Sequence, residues 1–287
     1  MRPFLKWAGG KTRIVDRIKA VLPEGKRLVE PFAGSAALML NADYQAYVLA
    51  DVNADLINCY RQLQRGGQVF IELCQTFFTP EANRPEAYYA LRERFNGSQD
   101  PTERAALFVY LNRHGYNGLC RYNASGRFNV PFGRYTRPYF PEAEMCTFWQ
   151  RSQRCKFAVA DFVTTMDSAI PGDVLYCDPP YVPLSSTANF TSYSADSFNL
   201  ESQRALAAKA AELAHRGIPV IISNHDTPFT RSIYEDADEL SYFEVQRHIS
   251  CDGSNRSRAA ELLAVFLASP TSQPKPAEVG SPAELSA

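Results

Sequence analysis

Short, continuously apolar runs alternate with helical patterns along most of this 287-residue sequence. Strands that are apolar in unbroken runs are buried on both faces, as in a parallel sheet covered by helices. The predicted strands are Arg27–Glu30, Tyr47–Asp51, Phe157–Ala160, Val174–Cys177, Val220–Ser223 and Leu262–Phe266. Between them, Thr12–Leu22 and Leu200–Arg216 carry apolar residues at helical spacing. The alternation predicts an α/β fold with a mostly parallel, doubly wound sheet.

The alternation breaks in the middle of the chain, over residues 54–144. This stretch begins with three predicted helices, Ala54–Gln64, Glu86–Arg94 and Pro101–Asn112. Turn residues flanked by aromatic residues then predict a β-hairpin at Tyr122–Phe128. We therefore predict one domain from residues 1–53 and 145–268, split by an inserted domain at 54–144. Residues 269–287 are Pro, Ser, Glu and Ala with little to bury, which predicts a disordered tail.

Composition removes several classes of protein. The apolar share of 45% suits a globular core. No run of about 18 apolar residues predicts a membrane span, and the N-terminus lacks the roughly 7-to-15-residue apolar stretch of a secretory signal. We therefore expect a cytoplasmic protein without membrane contact. The seven cysteines never show Cys-x-x-Cys spacing, so reduced thiols are expected, with no disulfide framework and no metal site.

Positive charge is concentrated in one part of a nearly neutral chain, whose net charge is −1. No Asp or Glu occurs between Arg104 and Pro141. The same segment carries Arg104, Arg113, Arg121, Arg127, Arg134 and Arg137. A locally basic stretch is typical of phosphate binding, and a solvated arginine face would not explain the exclusion of acids.

The most informative motif follows a buried strand: Asp178-Pro179-Pro180-Tyr181 comes directly after Val174–Cys177. In an open α/β sheet, ligands bind beyond the carboxyl ends of strands. An exocyclic amine of adenine is a poor nucleophile, because its lone pair is delocalised into the ring. The Asp178 carboxylate and the Pro179 carbonyl can accept hydrogen bonds from both N–H groups and so localise that lone pair. Tyr181 offers a ring face for an extruded base or for a sulfonium cation.

A second motif, Val29-Glu30-Pro31-Phe32-Ala33-Gly34-Ser35-Ala36, indicates a cofactor loop. A strand runs into a glycine turn and then into a helix that is predicted to open at Ser35. Asp51 ends the next strand and can hold ribose hydroxyls. The motif lacks the three glycines of a dinucleotide site, which disfavours NAD. A third motif, Gly9-Gly10-Lys11-Thr12, resembles the end of a phosphate-binding Walker loop. It has neither the upstream glycine nor the preceding strand of such a loop, so that interpretation is rejected.

Three motifs occur in a fixed order: Phe4-x-Lys6-Trp7-x-Gly9-Gly10-Lys11, Pro31-Phe32-x-Gly34 and Asp178-Pro179-Pro180-Tyr181. Together with the strings 111–123 and 128–135 they resemble the Dam-type DNA adenine methyltransferases of bacteria and phages, over about residues 4–266. The resemblance implies a Rossmann-like class I methyltransferase sheet with an inserted helical and β-hairpin DNA-recognition domain. It also implies S-adenosylmethionine as cofactor, double-stranded DNA as partner and N6 of adenine, in GATC sites, as target. No metal and no obligatory protein partner are implied.

The resemblance also implies roles for individual residues. The catalytic motif would be Asp178, Pro179, Pro180 and Tyr181, and the cofactor pocket would contain Trp7, Lys11, Phe32, Gly34, Asp51, Asp161, Phe162 and Asp178. The recognition sequence would face Lys6, Tyr116, Asn117, Leu119, Arg121 and Tyr135. Tyr116 would wedge into the duplex, and Leu119 and Arg121 suit a thymine methyl and a guanine edge. The phosphates would be held by Arg92, Asn123, Asn129, Arg134 and Arg137. The family usually has a second glycine where this chain has Ala36, which could crowd the cofactor loop.

Other activities remain as alternatives. Cytosine N4 methyltransferases normally carry Ser at the position of Asp178, and RNA or protein-amide methyltransferases usually carry Asn there. Cytosine C5 chemistry needs a thiol after a proline, whereas Cys177 precedes the acid. A DNA-binding protein without turnover would be expected to lose Asp178 or the glycine loop. The sequence leaves open whether the biological role is mismatch repair, DNA replication, gene control or phage protection.

Overall fold

A computed structural model of the chain describes residues 1–182, 198–246 and 258–268. Its strands form one seven-stranded sheet, in the order β3-β2-β1-β4-β5-β7-β6. Neighbouring strands are parallel from β3 through β5, and β7 runs antiparallel to both β5 and β6. The strands are β1 (Arg27–Glu30), β2 (Ala46–Asp51), β3 (Cys155–Val159), β4 (Asp173–Cys177), β5 (Val220–His225), β6 (Glu239–Gln246) and β7 (Arg258–Phe266). The predicted α/β class with a mostly parallel sheet is confirmed.

The sheet order places the ends of β1 and β4 side by side. From β1 the chain moves outward through β2 to β3 on one side, and β4 and β5 lie on the other. A crevice forms where the order reverses, at the carboxyl ends of the two central strands. Glu30 ends β1 and Asp178 follows β4 at this crevice.

All six predicted strands are present, but the prediction missed β6. Residues 239–246 read Glu-Leu-Ser-Tyr-Phe-Glu-Val-Gln, in which polar residues interrupt every apolar run. β6 lies at an edge of the sheet, where one side of the strand faces solvent and a continuous apolar run is not required.

Helices cover the sheet and fill the interval between β2 and β3. They are α1 (Val15–Val21), α2 (Ala54–Gln75), α3 (Pro85–Gly97), α4 (Pro101–His114), α5 (Glu142–Ser152), α6 (Phe162–Asp167), α7 (Leu200–His215) and α8 (Pro228–Ile233). The predicted helices are found, and α2 is longer than predicted because it continues through a kink at Gly67. Gly67 has a φ of 50°, and a Cβ atom there would clash with the Trp149 ring. Glycine at this position lets the helix pack closely against α5.

The helix predicted to open at Ser35 is absent, and this expectation is wrong. Residues 37–41 form turns only. Ala36 has a φ of 57° and is fully buried. A left-handed residue cannot continue a right-handed helix, so the chain bends away before a helix can start. Ala36 thus adopts the conformation that favours glycine and keeps its methyl group inside the core.

The segment between β2 and β3 packs tightly onto the rest of the protein. Helix α2 contacts α4 and α5 as well as β2 and β3. The predicted hairpin has antiparallel bridges between Tyr122 and Phe128 and between Gly115 and Phe132. One cluster of buried apolar side chains runs from the sheet into α2, α3 and α4. Division of the chain into domains at 53/54 and 144/145 stays a prediction, and the predicted tail at 269–287 lies outside the described residues.

Composition predicted that the chain has no membrane span and that its cysteines are reduced thiols. Among the described residues, no helix is long and apolar enough to cross a membrane. The six cysteines within the described ranges are free thiols. Cys251 lies outside those ranges.

Candidate active site

A cavity of about 940 Å³ opens at the carboxyl ends of β1 and β4. Three chain segments supply most of its lining: the N-terminal residues 7–14, the loop 30–38 after β1, and the motif 178–181 after β4. The sequence motifs are therefore brought together at one place. All eight residues that were predicted for the cofactor pocket line this cavity, namely Trp7, Lys11, Phe32, Gly34, Asp51, Asp161, Phe162 and Asp178.

Asp178 is held by two neighbours from different elements. Lys11 Nζ lies 2.6 Å from Asp178 Oδ1, and Ser223 Oγ donates to the same oxygen at 3.2 Å. Pairing of β4 with β5 reaches Cys177 and Ile222, so Asp178 and Ser223 follow side by side. Burial raises the pKa of Asp178, while the Lys11 charge and the two hydrogen bonds oppose that rise. Both contacts fix Oδ1, and the carboxylate can present Oδ2 to a ligand.

The Lys11 ammonium contacts both Asp178 and the ring of Tyr181. The Lys11 ammonium lies 4.4 Å from the centre of the Tyr181 ring. The His225 ring packs edge-on against Tyr181 at 4.7 Å between centroids, and the Tyr181 hydroxyl donates to Glu261 Oε2 at 3.3 Å. A ring face beside a carboxylate attracts a positive charge by cation–π and Coulomb interactions. Lys11 itself also donates to the Gly9 carbonyl at 2.7 Å.

The loop after β1 is fixed to the end of β2. The Gly34 N–H donates to Asp51 Oδ2 at 3.1 Å, and the Asn53 N–H donates to Asp51 Oδ1 at 2.9 Å. Gly34 has a φ of 45°, and a Cβ atom there would lie 3.2 Å from the Trp7 indole. Glycine avoids strain in this backbone conformation and leaves room for the close approach of Trp7. Trp7, Gly34 and Asp51 therefore form one wall of the cavity.

Aromatic side chains form a second wall. The Phe32 and Phe162 rings are stacked, with centroids 5.7 Å apart and planes 19° apart. Phe198 packs edge-on against both of them. The Asp161 carboxylate accepts from the Thr164 N–H at 2.7 Å and caps α6. Phe198 was not predicted, because it lies outside every motif and only the fold brings it against Phe32 and Phe162 at the cavity.

Glu30 is a second residue that the sequence prediction missed. It lines the cavity and is 3% exposed, yet among the described residues its Oε1 has no hydrogen-bond partner. Burial and the nearby Asp178 raise the pKa of Glu30 to about 8, although a backbone hydrogen bond from Met39 opposes the rise. A buried acid at the carboxyl end of a central strand, directly before the glycine loop, is the signal that could have identified it.

The state of Glu30 predicts how stability depends on pH. The folded carboxyl stays neutral up to about pH 8, whereas the unfolded chain ionises near the ordinary value of about 4.3. The folded state therefore binds more protons in this window, and this contribution to stability is lost as pH rises. Glu30→Gln removes the ionisable group. We expect the free energy of unfolding of Glu30→Gln, relative to the parent, to rise by about 3 kcal/mol between pH 5.5 and pH 8.

Urea denaturation of both proteins at the two pH values measures this difference. Glu24→Gln is the matched control, because Glu24 is exposed and its replacement should leave the pH dependence of the parent unchanged. Identical pH dependence in Glu30→Gln and the parent would show that Glu30 ionises freely in the folded protein.

The residues predicted to face DNA lie on the N-terminal segment (Lys6), on α3 (Arg92) and in the segment 116–137, which contacts the other two. The Asn112 side chain accepts from the Lys6 N–H at 2.8 Å and donates to the Lys6 carbonyl at 2.7 Å. This pair ties the N-terminal segment to α4. The Lys6 ammonium lies 4.1 Å from the centre of the Tyr135 ring, and burial lowers the pKa of Lys6. Gly118, with a φ of 65°, permits the approach, because a Cβ atom there would clash with Lys6.

The hairpin presents the remaining candidates. Arg121 Nε donates to Asn129 Oδ1 at 2.8 Å across the hairpin. The Asn123 side chain accepts from the Ser125 and Arg127 N–H groups, both at 3.0 Å, and so shapes the turn. Leu119 is partly buried against the core. The exposed members of the predicted set are Tyr116, Asn117, Arg121, Asn123, Arg134 and Arg137.

Several arginines of the basic segment have partners within the protein. Arg104 pairs with Asp55 through Nε at 2.5 Å and Nη2 at 3.0 Å. Arg113 is buried and donates to the Phe4 carbonyl, and Arg127 pairs with Glu93. Arg104 and Arg113 therefore support the fold and are not available to phosphates. Arg92 is half-buried and donates to the Val130 carbonyl at 3.2 Å.

No cluster of three or more His, Cys, Asp or Glu residues suited to a metal ion occurs in the part of the chain that the structure describes.

Comparisons with known proteins give one consistent result. Residues 7–249 match the family described as D12 class N6 adenine-specific DNA methyltransferase. The chain is 51% identical over 265 residues to the DNA adenine methylases of Escherichia coli (strain K12) and Salmonella typhi, which covers 92% of this chain and 95% of those enzymes. It is 50% identical over 266 residues to the DNA adenine methylase of Vibrio cholerae, over 92% of this chain and 96% of that enzyme.

Proposed function

This chain belongs to the D12 class N6 adenine-specific DNA methyltransferases, and we propose that it transfers a methyl group from S-adenosylmethionine to N6 of adenine in GATC sites of double-stranded DNA. The observation that carries the proposal is the position of Asp178-Pro179-Pro180-Tyr181 at the carboxyl end of β4, in the wall of the central cavity. Such a protein would act in the cytoplasm on bacterial or phage DNA.

Asp178 and Pro179 would activate the target amine. The carboxylate accepts a hydrogen bond from one N–H group of the amine, and the Pro179 carbonyl accepts a hydrogen bond from the other. Proline leaves this carbonyl outside the sheet, because the ring cannot donate to a ladder. Both acceptors can reach the amine only when the base is unpaired, so adenine must be extruded from the helix at a cost of a few kcal/mol. Tyr181 returns part of that cost by stacking on the base.

The cavity fits S-adenosylmethionine on an observation independent of the family. Glu30 Oε1 is a buried oxygen without a hydrogen-bond partner among the described residues, and buried polar groups are otherwise almost always satisfied. The ammonium of the methionine moiety can supply that partner. When bound, the cofactor supplies an electrophilic methyl group on a sulfonium sulfur for direct in-line transfer. The residues proposed to hold it are Trp7, Lys11, Glu30, Phe32, Gly34, Asp51, Asp161, Phe162 and Asp178.

Residues 54–144 would form the DNA-recognition domain, together with Lys6 from the N-terminal segment. The proximity of Lys6, Gly118 and Tyr135 supports one continuous recognition surface. The proposed base readers are Lys6, Tyr116, Asn117, Leu119, Arg121 and Tyr135, and the proposed phosphate contacts are Arg92, Asn123, Asn129, Arg134 and Arg137.

Arg121 and Arg137 should behave differently on replacement. Arg121→Ala should lower discrimination at one guanine by about 1–3 kcal/mol, the value of one bidentate base contact. Arg137→Ala should weaken binding to all sequences alike and reduce the salt dependence of binding. Binding titrations with cognate and single-substituted duplexes at several salt concentrations measure both effects. Equal weakening of every duplex by both variants would contradict the assignment of Arg121 as a base reader.

The sequence specificity can be tested in cells that lack GATC methylation. Genomic DNA from cells expressing the protein is digested with nucleases that distinguish methylated from unmethylated GATC. We expect resistance to the nuclease that cuts only unmethylated sites and cleavage by the one that requires methylation. Unmethylated GATC sites together with methylated adenine elsewhere would retain the reaction but reject the proposed sequence.

A further inference from the structure

Three uncharged side chains lie fully inside the protein behind the loop of Asp178–Tyr181. They are Gln203 on α7, Asn224 on β5 and Tyr234 just after α8, with exposures of 2%, 0% and 0%. Burial of amide and hydroxyl groups costs free energy unless each group is hydrogen-bonded. The partners of these three residues therefore indicate why they are polar.

Two of the three side chains bind the main chain of the catalytic loop. Gln203 Nε2 donates to the Pro180 carbonyl at 2.7 Å. Asn224 Oδ1 accepts from the Val182 N–H at 3.2 Å. Asn224 Nδ2 in turn donates to Gln203 Oε1 at 2.9 Å and to the Tyr234 hydroxyl at 3.1 Å. The residues before and after Tyr181 are thus fixed by one connected network.

The loop needs such support because the sheet cannot provide it. Pairing between β4 and β5 ends at Cys177 and Ile222. Pro179 and Pro180 have no N–H groups, so they cannot extend the ladder. The direction of the Pro179 carbonyl is then determined by the peptide units that follow it, and Gln203 holds the first of these.

We propose that Gln203 and Asn224 are positioning residues for methyl transfer, which clamp the main chain at Pro180 and Val182 so that the Pro179 carbonyl and the Tyr181 ring face the target base. The inference rests on the proposed function of this same site. Neither side chain is proposed to touch DNA or cofactor. Loss of the clamp therefore lowers the rate of the chemical step and leaves binding intact, since a displacement of about 1 Å at a reacting group can cost roughly 10²-fold in rate.

Gln203→Met is the direct test, because methionine keeps the length of the side chain and removes its three hydrogen bonds, to the Pro180 carbonyl, Asn224 and Tyr234. We expect kcat to fall by about 10- to 100-fold, with KM for DNA and Kd for S-adenosylmethionine within about threefold of the parent values. Gln64→Met is the matched control. Gln64 on α2 also donates to a backbone carbonyl, that of Cys155, at 2.9 Å. Its replacement should leave kcat near the parent value.

Gln203→Glu provides a second readout through pH. A protonated carboxyl can still donate to the Pro180 carbonyl, whereas a carboxylate cannot. Among the residues that the structure describes, the hydrogen-bond partners of the titratable group introduced at position 203 would be uncharged, namely Asn224, Tyr234 and the Pro180 carbonyl. The kcat of Gln203→Glu, relative to the parent at the same pH, should therefore fall as pH rises. A constant ratio would overturn the proposed donor role.

Amide hydrogen exchange tests the clamp without any turnover. Peptides that contain Tyr181 and Val182 should exchange faster in Gln203→Met than in the parent and in Gln64→Met. Unchanged exchange in Gln203→Met would overturn the clamp, and so would equal losses of kcat in Gln203→Met and Gln64→Met. A parent protein that transfers no methyl group would reject the proposed function instead, and the exchange experiment would still decide on the clamp.

Discussion

A protein carrying Asp178→Asn is expected to lose methyl transfer by about 10³-fold or more in kcat while remaining folded. Asparagine has nearly the same volume, but its NH₂ group can present a donor where the target amine needs an acceptor. Lys11 lies 2.6 Å from Asp178 Oδ1, and this contact loses its charge partner. Single-turnover kinetics, with the protein in excess over DNA and the cofactor saturating, measure the chemical step directly.

Asp167→Asn is the matched control for this experiment, because Asp167 is exposed and pairs with Lys209 at the surface. The control should keep the parent rate, and circular dichroism should show the same fold in all three proteins. Near-parent turnover by a well-folded Asp178→Asn would remove Asp178 from the reaction.

Arg104→Met is expected to lower the free energy of unfolding by about 3 kcal/mol, the cost of leaving a buried charge without its partner. Arg104 makes two hydrogen bonds to Asp55 and a third to the Phe95 carbonyl at 2.8 Å. The Tyr122 hydroxyl also donates to Asp55, at 2.6 Å. Loss of the guanidinium therefore disturbs the attachment of the hairpin to α2 as well as the ion pair itself.

Urea denaturation of Arg104→Met and of Arg94→Met separates buried from exposed pairs. Arg94 forms an exposed pair with Glu103, and its replacement should cost less than about 1 kcal/mol. Equal stability of the two variants would contradict the structural role of Arg104. It would also return Arg104 to the group of candidate phosphate contacts.

The parts of the fold that the sequence predicted are those with a strong local pattern. Val174–Cys177 is continuously apolar, and the structure buries all of β4 on both faces. Alternation of such runs with helical spacing was enough to predict the parallel sheet. β6 was missed because an edge strand with mixed residues has no pattern of its own and depends on pairing with β7.

Local propensity failed where the backbone takes an unusual path. Ser35 is a good helix N-cap in isolation, but the left-handed conformation of Ala36 prevents the helix. The family usually has glycine at the position of Ala36. The sequence did not show that Ala36 keeps the left-handed backbone conformation that glycine favours.

The site was predicted from its motifs, and the missing residues are those whose partners are distant in sequence. Gln203 and Asn224 lie in ordinary helix and strand patterns, and only the fold brings them to Pro180 and Val182. The number of arginines in the segment likewise could not distinguish the structural role of Arg104 from the proposed DNA-binding role of Arg121. A partner acid at Asp55 identifies Arg104 as structural, and that pairing requires α2 and α4 to pack together.

The most direct test of adenine N6 methylation is the nucleoside composition of DNA after reaction. Unmethylated duplex DNA is incubated with the purified protein and S-adenosylmethionine, digested to nucleosides and analysed by mass spectrometry, with Asp178→Asn in parallel. We predict N6-methyldeoxyadenosine as the product of the parent protein and unmodified nucleosides from Asp178→Asn. Formation of N4-methyldeoxycytidine, or no methylated nucleoside from a folded parent protein that binds the cofactor, would contradict the assignment of this site to adenine N6.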